Sequence, residues 1–272
     1  LRDVTVTNPD TQSGVLPGGF AVTAITSGLI HKDFTYSDRS ALLADGWSFL
    51  AKTATGANRD TEQTGTAAVN YDQTAHPGTI RVPVGAGDLY QTTSTSQNTL
   101  LLDLPPDWTS IRLKIAAFAP VADYQQVALM AYQDDDNYVI VDRMMNGQPY
   151  VEYYREQGAV VSNGITFTPL TNTGNLILRL DRDAAPNTWD GYFSTDGGNT
   201  WVSVGTQIPA LNPPKLGIHT GAKFDTITPN ADLAWVEVIR SGGPPAPTIT
   251  SLSPNSAAQG QSLNVGLTGA NV

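Results

Sequence analysis

The sequence predicts an all-β sandwich, and three features carry that prediction. Between Asp123 and Glu156 three short runs alternate apolar and polar residues with a period of two, the pattern of strands rather than helices. Two compact turn signals separate those runs, Asp134-Asp135-Asp136-Asn137 and Asn146-Gly147-Gln148-Pro149, built from residues that bond their own backbone or tolerate positive φ. No stretch combines helical periodicity with capping residues, so very little helix is expected.

Taken in order, residues 1–24 hold two strand-like runs, Asp3–Thr7 and Gly19–Thr23, broken by Asn8-Pro9-Asp10 and Pro17-Gly18. From Ile30 to Phe34 a first strand of the main body begins, and Asp38 to Trp47 reads as an opening loop leading into the next strand. Residues 52–71, rich in Thr, Ala, Gly and Asn, read as loop with short strands. Thr79–Val84 and Ser110–Phe118 are strands, the second with Ile111, Leu113, Ile115 and Ala117 on one face and Arg112 and Lys114 on the other. In the central meander Val127, Leu129 and Ala131 alternate with Ala128, Met130 and Tyr132, and the next run carries Tyr138, Ile140 and Asp142 opposite Val139, Val141 and Arg143. Leu176, Leu178 and Leu180 mark a half-buried antiparallel strand. Thr188–Ser194 and Thr200–Val204 flank an Asp196-Gly197-Gly198 turn as a hairpin, and Lys215–Gly221 and Ala231–Arg240 close the body. Beyond them Gly242-Gly243-Pro244-Pro245-Ala246-Pro247 cannot continue a ladder and marks a domain boundary.

A length of 272 residues with 40% apolar content is enough for one large core or two smaller ones. The formal charge of −10 argues against nucleic acid or an anionic membrane as partner, because no basic patch offsets that field. No apolar run approaches the ~20 residues that span a bilayer as a helix, and without cysteine there is no disulfide framework. The chain begins at Leu1 rather than Met, which suggests a processed piece.

Tyr124-Gln125-Gln126, Tyr132-Gln133-Asp134-Asp135-Asp136-Asn137-Tyr138, Asp142-Arg143 and Val151-Glu152-Tyr153 together resemble the concanavalin A-like, laminin-G-like sandwich of the bacterial β-xylosidase C-terminal type. Arg81–Tyr90, Asn98–Leu102 and Ser194–Trp201 fit the same pattern, and the resemblance covers roughly Leu29 to Arg240. It implies a jelly-roll sandwich over residues 25–243. At the ends, Val4-Thr5-Val6-Thr7-Asn8-Pro9-Asp10 with Gly18-Gly19-Phe20-Ala21-Val22, and Thr248–Ser256 with the strand from Leu263, resemble the last and first strands of immunoglobulin-like TIG (IPT) modules. Residues 1–24 and 244–272 are therefore expected to be partial modules, whose open edges need completion by a longer chain, by neighbouring copies or by each other.

Each candidate site stands beside a plainer role. The resemblance implies that Asp33 and Asp232, on strands adjacent in such sandwiches, hold a structural calcium with backbone carbonyls and water; equally, they are surface acids at strand ends. The triple acid Asp134–Asp136 lacks the alternate spacing of a calcium loop and reads as a solvated turn. A sugar site needs exposed aromatic faces flanked by planar polar groups. Tyr153 and Arg155, with Tyr90, Tyr124 and Gln125 from neighbouring segments, make up the expected carbohydrate-binding set, although any one tyrosine can equally be a core residue with a satisfied hydroxyl. On the same strand Glu152, Tyr154 and Glu156 point to the opposite face from Tyr153 and Arg155. Hydrolysis would need a carboxylate pair, but no acid sits in a recognisable catalytic motif. His31, His76 and His219 follow no metal-ligand spacing. The sequence thus predicts a non-enzymatic, extracellular carbohydrate-binding or adhesive module of a larger bacterial surface or secreted protein, with a glycan as partner. The alternative is a repeat unit of an extracellular fibre, with neighbouring copies completing the terminal strands.

Overall fold

A computed structural model describes residues 2–7, 13–20, 28–50, 68–85, 87–170, 175–183, 188–212, 214–223, 229–241, 248–253 and 266–270. The chain divides into two compact units, Leu29–Ser241 and a second made of Leu1–Gly28 with Gly242–Val272. In the second unit β1 (Arg2–Thr7) pairs with β2 (Ser13–Phe20) as an antiparallel hairpin. The burial of Val4, Val6 and Phe20, and Val22 altogether, lies outside the described residues.

The large unit contains β3 (Leu29–Asp33), α1 (Arg39–Ala44), β4 (Trp47–Leu50), β5 (Ile80–Pro83), β6 (Leu89–Tyr90), β7 (Thr93–Ser94), β8 (Gln97–Asp103) and β9 (Trp108–Phe118). These are followed by β10 (Gln125–Asp134), β11 (Asn137–Asn146), β12 (Gln148–Gln157), β13 (Val160–Pro169) and β14 (Leu176–Asp183). The last strands of this unit are β15 (Thr188–Ser194), β16 (Val202–Gln207), β17 (Lys215–Ala222) and β18 (Asn230–Arg240). In the other unit β19 (Thr248–Ser253) pairs with β20 (Gly266–Ala270).

Two seven-stranded antiparallel sheets result. One runs β13-β12-β11-β10-β17-β8-β4, and the other β16-β15-β14-β9-β18-β3 with β5 also paired to β18. The predicted meander is the run β10-β11-β12, with Val127↔Arg143 and Val141↔Tyr153 among its register pairs. Alternation sends Val127, Leu129, Ala131, Val139, Val141, Val151 and Tyr153 to one face, where they join Ile111, Leu113, Ile115, Leu178, Leu180, Val236 and Val238 of the opposite sheet in one buried core. Each such side chain contributes ~1.5–3 kcal/mol when fully buried, so the two-layer arrangement follows from this shared need to cover apolar faces.

One segment differs from its sequence reading. Asp38 to Trp47, expected as loop, contains the short helix α1. Asp38 is its N-cap, with its carboxylate 2.9 Å from the backbone N–H of Ala41. Leu42 supplies its single buried side chain, and Gly46 at φ 90° ends it.

Candidate functional site

Because the inner face of the first sheet is consumed by the core, the opposite residues of the same strands form an outer face, and the register fixes its rows. Phe167, Glu152, Asp142, Ala128 and His219 lie side by side across β13, β12, β11, β10 and β17. The row on one side is Tyr154, Ile140, Met130 and Gly217, and on the other Tyr150, Met144, Gln126 and Gly221. Further along come Glu156, Tyr138, Tyr132 and Lys215. Leu89, Leu101, Ala128, Met130, Tyr132, Tyr138, Ile140 and Tyr154 form a second apolar cluster separate from the inter-sheet core.

Part of this face lies beneath the β6–β7 hairpin. Leu89 packs into the second cluster, its carbonyl oxygen 2.8 Å from the Tyr138 hydroxyl. The Gln91 N–H, at a residue with φ 53°, donates to Glu156 Oε2 at 2.7 Å, and Ser94 donates to Asp135. The hairpin approaches closely because Gly87, at φ 136°, has no side chain: a Cβ there would lie 2.4 Å from the Thr95 carbonyl oxygen. Gly87 also exchanges backbone hydrogen bonds with Ala222 at 3.1 and 3.2 Å, which joins the hairpin base to β17.

Besides Asp135, the carboxyl groups of Asp88, Asp142, Glu152 and Glu156 are buried around this hairpin. Burial pushes Glu156 up to about 7, partly opposed by the Gln91 N–H and the Tyr138 hydroxyl. Burial and then the charge of Asp88 push Glu152 up to about 8. Asp142 is raised well above the usual carboxylate range, by complete burial and then by Glu152 and Asp88. Asp88 is raised by burial, countered by the Leu89 N–H and by Lys223. Neither carboxyl oxygen of Asp142 has a hydrogen-bond partner among the described residues, and its exposure is 0%. A structural acid is normally paired when buried this deeply, so the chemistry of the face is concentrated here.

An aromatic rim flanks the acids. Phe167, beside Glu152, is 41% exposed and meets the half-buried Tyr150 ring edge-on at 5.5 Å. The expected sugar-binding residues divide. Tyr90 and Tyr124 do come together, with Lys223 Nζ 5.5 Å from one ring centroid and 5.6 Å from the other, and Tyr90 also meets Tyr154 edge-on. Gln125 is fully buried, its Oε1 accepting from the N–H groups of Val121 and Ala122 to brace a turn. Tyr153 points into the core, fully buried, with its hydroxyl donating to the Trp189 carbonyl at 2.6 Å. Alternation turns its ring away from any bound sugar, which corrects the expectation of a stacking platform there. Arg155, of the same parity, donates to the Ile208 carbonyl rather than joining the acid row.

Asp33 and Asp232, expected to share a calcium, are each engaged elsewhere. Asp232 receives Arg81 at two points, Nε at 2.7 Å and Nη2 at 2.8 Å, and exposed Asp33 lies 3.0 Å from His31 Nε2. Among the described residues no three His, Asp or Glu side chains form a metal-ligand group. The triple-acid turn is only partly solvated: Asp134 bonds the Asp136 N–H, whereas Asp135 is buried and accepts from the Tyr132 hydroxyl at 2.6 Å. The Ser194–Thr200 turn is locked by Asp196, whose carboxylate accepts from Ser194, the Thr200 hydroxyl and the Thr200 N–H and is held well below the usual range by those bonds.

No family model and no curated protein matches the chain. Solved structures do match in fold. BlXynB, a GH43 protein from Bacillus licheniformis, superposes with a TM-score of 0.61 at 15% identity, over 88% of this chain and 46% of that one. A Bacteroides ovatus protein described as xyloglucan PUL GH43B gives 0.58 at 16% identity over 87% and 46%, and a xylan β-1,4-xylosidase from Bacillus halodurans gives 0.58 at 14% over 87% and 46%. The chain thus spans less than half the length of these structures, and at such identity the likeness is one of fold. It overturns the expectation of a non-enzymatic chain, since the fold is one carried by glycoside hydrolases. What the comparisons establish is an all-β sandwich of the kind found in GH43 xylosidase-type proteins.

Proposed function

We propose that the outer face of the β13-β12-β11-β10-β17 sheet recognises a polysaccharide, as part of a larger secreted or cell-surface protein that acts on glycans. The observation that carries this reading is the row in which exposed Phe167, backed by Tyr150, stands directly beside Glu152. An aromatic face covers the C–H surface of a pyranose while adjacent carboxyl groups bond its hydroxyls, which is the composition such sites require. Tyr90, Tyr124 and Lys223 supply a second aromatic and polar group at the other side of the hairpin. The fold shared with xylosidase-type proteins supports the choice of a neutral glycan such as xylan as the first ligand to test.

The experiment is affinity electrophoresis and calorimetry of the chain against xylan, xyloglucan and mixed-linkage β-glucan. Phe167→Ala is expected to weaken binding at least tenfold with the melting temperature unchanged, since that ring is exposed. Retained affinity in Phe167→Ala, or no binding to any of the three, would refute the reading.

A further inference from the structure

The second sheet has an outer face too, and the register again fixes its rows. Ile177, Lys114, Trp235 and Asp33 lie side by side across β14, β9, β18 and β3. The next row holds Tyr192, Arg179, Arg112, Glu237 and His31 across β15, β14, β9, β18 and β3. Leu113, Leu178 and Val236, of the other parity, point into the inter-sheet core, so both rows are turned away from it. Trp201, just before β16, lies over the arginines: its ring centroid is 5.3 Å from Arg112 Cζ and 4.9 Å from Arg179 Cζ, and Arg179 also stands 4.9 Å from the Tyr192 ring. A chain of net charge −10 thus gathers Arg112, Lys114 and Arg179 on two adjacent rows among aromatic rings.

The two arginines have acids to hold them. Arg112 Nη1 donates to Glu237 at 3.3 Å and Arg179 Nε to Asp181 at 2.7 Å. Glu237 lies 3.2 Å from His31 as well, and Asp33 is 3.0 Å from the other nitrogen of that ring. Lys114 stands apart: it has no hydrogen bond and no ion pair among the described residues. It is half-buried, with Ile177 and Trp235 as its register partners, and burial alone pulls its ammonium below the usual lysine range. Arg112 Nε, two residues away on the same strand, is buried without an acceptor. A desolvated cation left without an anion costs folding free energy, and here it stands beside a partly exposed indole.

We infer that this face binds an acidic polysaccharide built of hexuronate units, with a sugar carboxylate on Lys114 and the C–H face of the same sugar on Trp235. The chemistry of the two side chains selects that ligand. A small inorganic anion would satisfy Lys114 and leave the indole unused, and a neutral sugar would cover the indole and leave the ammonium without its counter-charge. Asp33, exposed beyond Trp235 in the same row, can accept from a ring hydroxyl. This site lies on the opposite sheet from the Phe167 row and does not depend on it.

The test is calorimetry of the full chain at low ionic strength, where surface charges are least screened, with polygalacturonate, its methyl-esterified form and polyglutamate. Polygalacturonate is expected to bind, and the uncharged ester and the sugar-free polyanion to bind about tenfold more weakly or not at all. Lys114→Met, which keeps the apolar stem, is expected to lose about tenfold toward polygalacturonate, the scale of one hydrogen bond to a charged group, while holding xylan as the parent does. Trp235→Ala is expected to lose a similar factor, with its fold checked by circular dichroism; should it fail to fold, Lys114→Met decides alone. No binding of polygalacturonate, equal binding of the ester or of polyglutamate, or unchanged affinity in Lys114→Met would each overturn the site. Loss of xylan binding alone would refute the Phe167 reading and leave this one standing.

Discussion

Tyr138 and Glu156 face each other across the β11–β12 ladder, with the phenolic oxygen 2.9 Å from Oε2. The same hydroxyl lies 2.8 Å from the Leu89 carbonyl, so a titrating carboxyl, a sheet and the covering hairpin share one hydrogen-bonded cluster. Protonation on the outer face is therefore coupled to the stability of the sandwich.

Glu156 and Glu152 rise from 4.5 to about 7 and about 8 in the folded chain. Between those limits the folded state binds more protons than the unfolded one, so stability is greatest at the acid end and is lost as pH rises through 7 and 8. At 1.36 kcal/mol per pKa unit, and a few degrees per kcal/mol for a domain of this size, the melting temperature should fall by roughly 10–20 °C between pH 5.5 and 9. Acids held low, such as Asp45 and Asp196, act below this window. Thermal unfolding followed by circular dichroism checks it, and a flat profile contradicts the burial of this pair.

Glu152→Gln removes one of these titrations. It should leave the melting temperature unchanged at pH 5.5 and raise it by several degrees at pH 9, because the amide never ionises beneath the hairpin. A variant equally stable at both pH values relative to the parent would show that Glu152 already reaches solvent.

Tyr153 is held on two sides by glycines. A Cβ on Gly191 would lie 2.7 Å from its Cδ2, and one on Gly205 3.3 Å from its Cδ1. Urea unfolding of Gly191→Ala should show a loss of ~1–3 kcal/mol from overpacking. Tyr153→Ala should lose ~3–5 kcal/mol by leaving a cavity. Tyr153→Phe should lose ~1–3 kcal/mol because the Trp189 carbonyl is stranded.

Arg81 grips Asp232 with two parallel hydrogen bonds on a strand pair that ties β5 to β18. Asp232→Asn should cost ~1–3 kcal/mol, by the same amount in EDTA and in millimolar calcium. A stability gain from calcium in the parent that vanishes in Asp232→Asn would restore the metal reading of that carboxylate.

The strands were legible because their alternation is local. Val127, Leu129 and Ala131, or Leu176, Leu178 and Leu180, announce a buried face without reference to any partner. Which face of β12 turns inward was not legible in the same way, since Tyr153 and Tyr154 are chemically alike and both faces of that strand are covered. The pairing of Asp142 with Glu152 needed the register, which the Asn146-Gly147-Gln148 turn sets at a distance from both residues. β13 carries Phe167 yet breaks its own alternation: Gly164 adopts φ 84°, and the pairing slips between Tyr153 and Arg155. The helix α1 hid because six residues give too little periodicity to read.

The β11–β12 turn has a consequence for how this chain can vary. Gly147, at φ 70°, sits at a reversal whose length decides the parity of everything after it, so one inserted residue would turn Tyr153 to the outer face and drive Glu152 and Glu156 into the inter-sheet core. Lengthening by pairs preserves the frame and lengthening by one inverts it. Descendants of this sequence can therefore elaborate that bend only in even increments, and the chemistry of one side and the integrity of the other are inherited together.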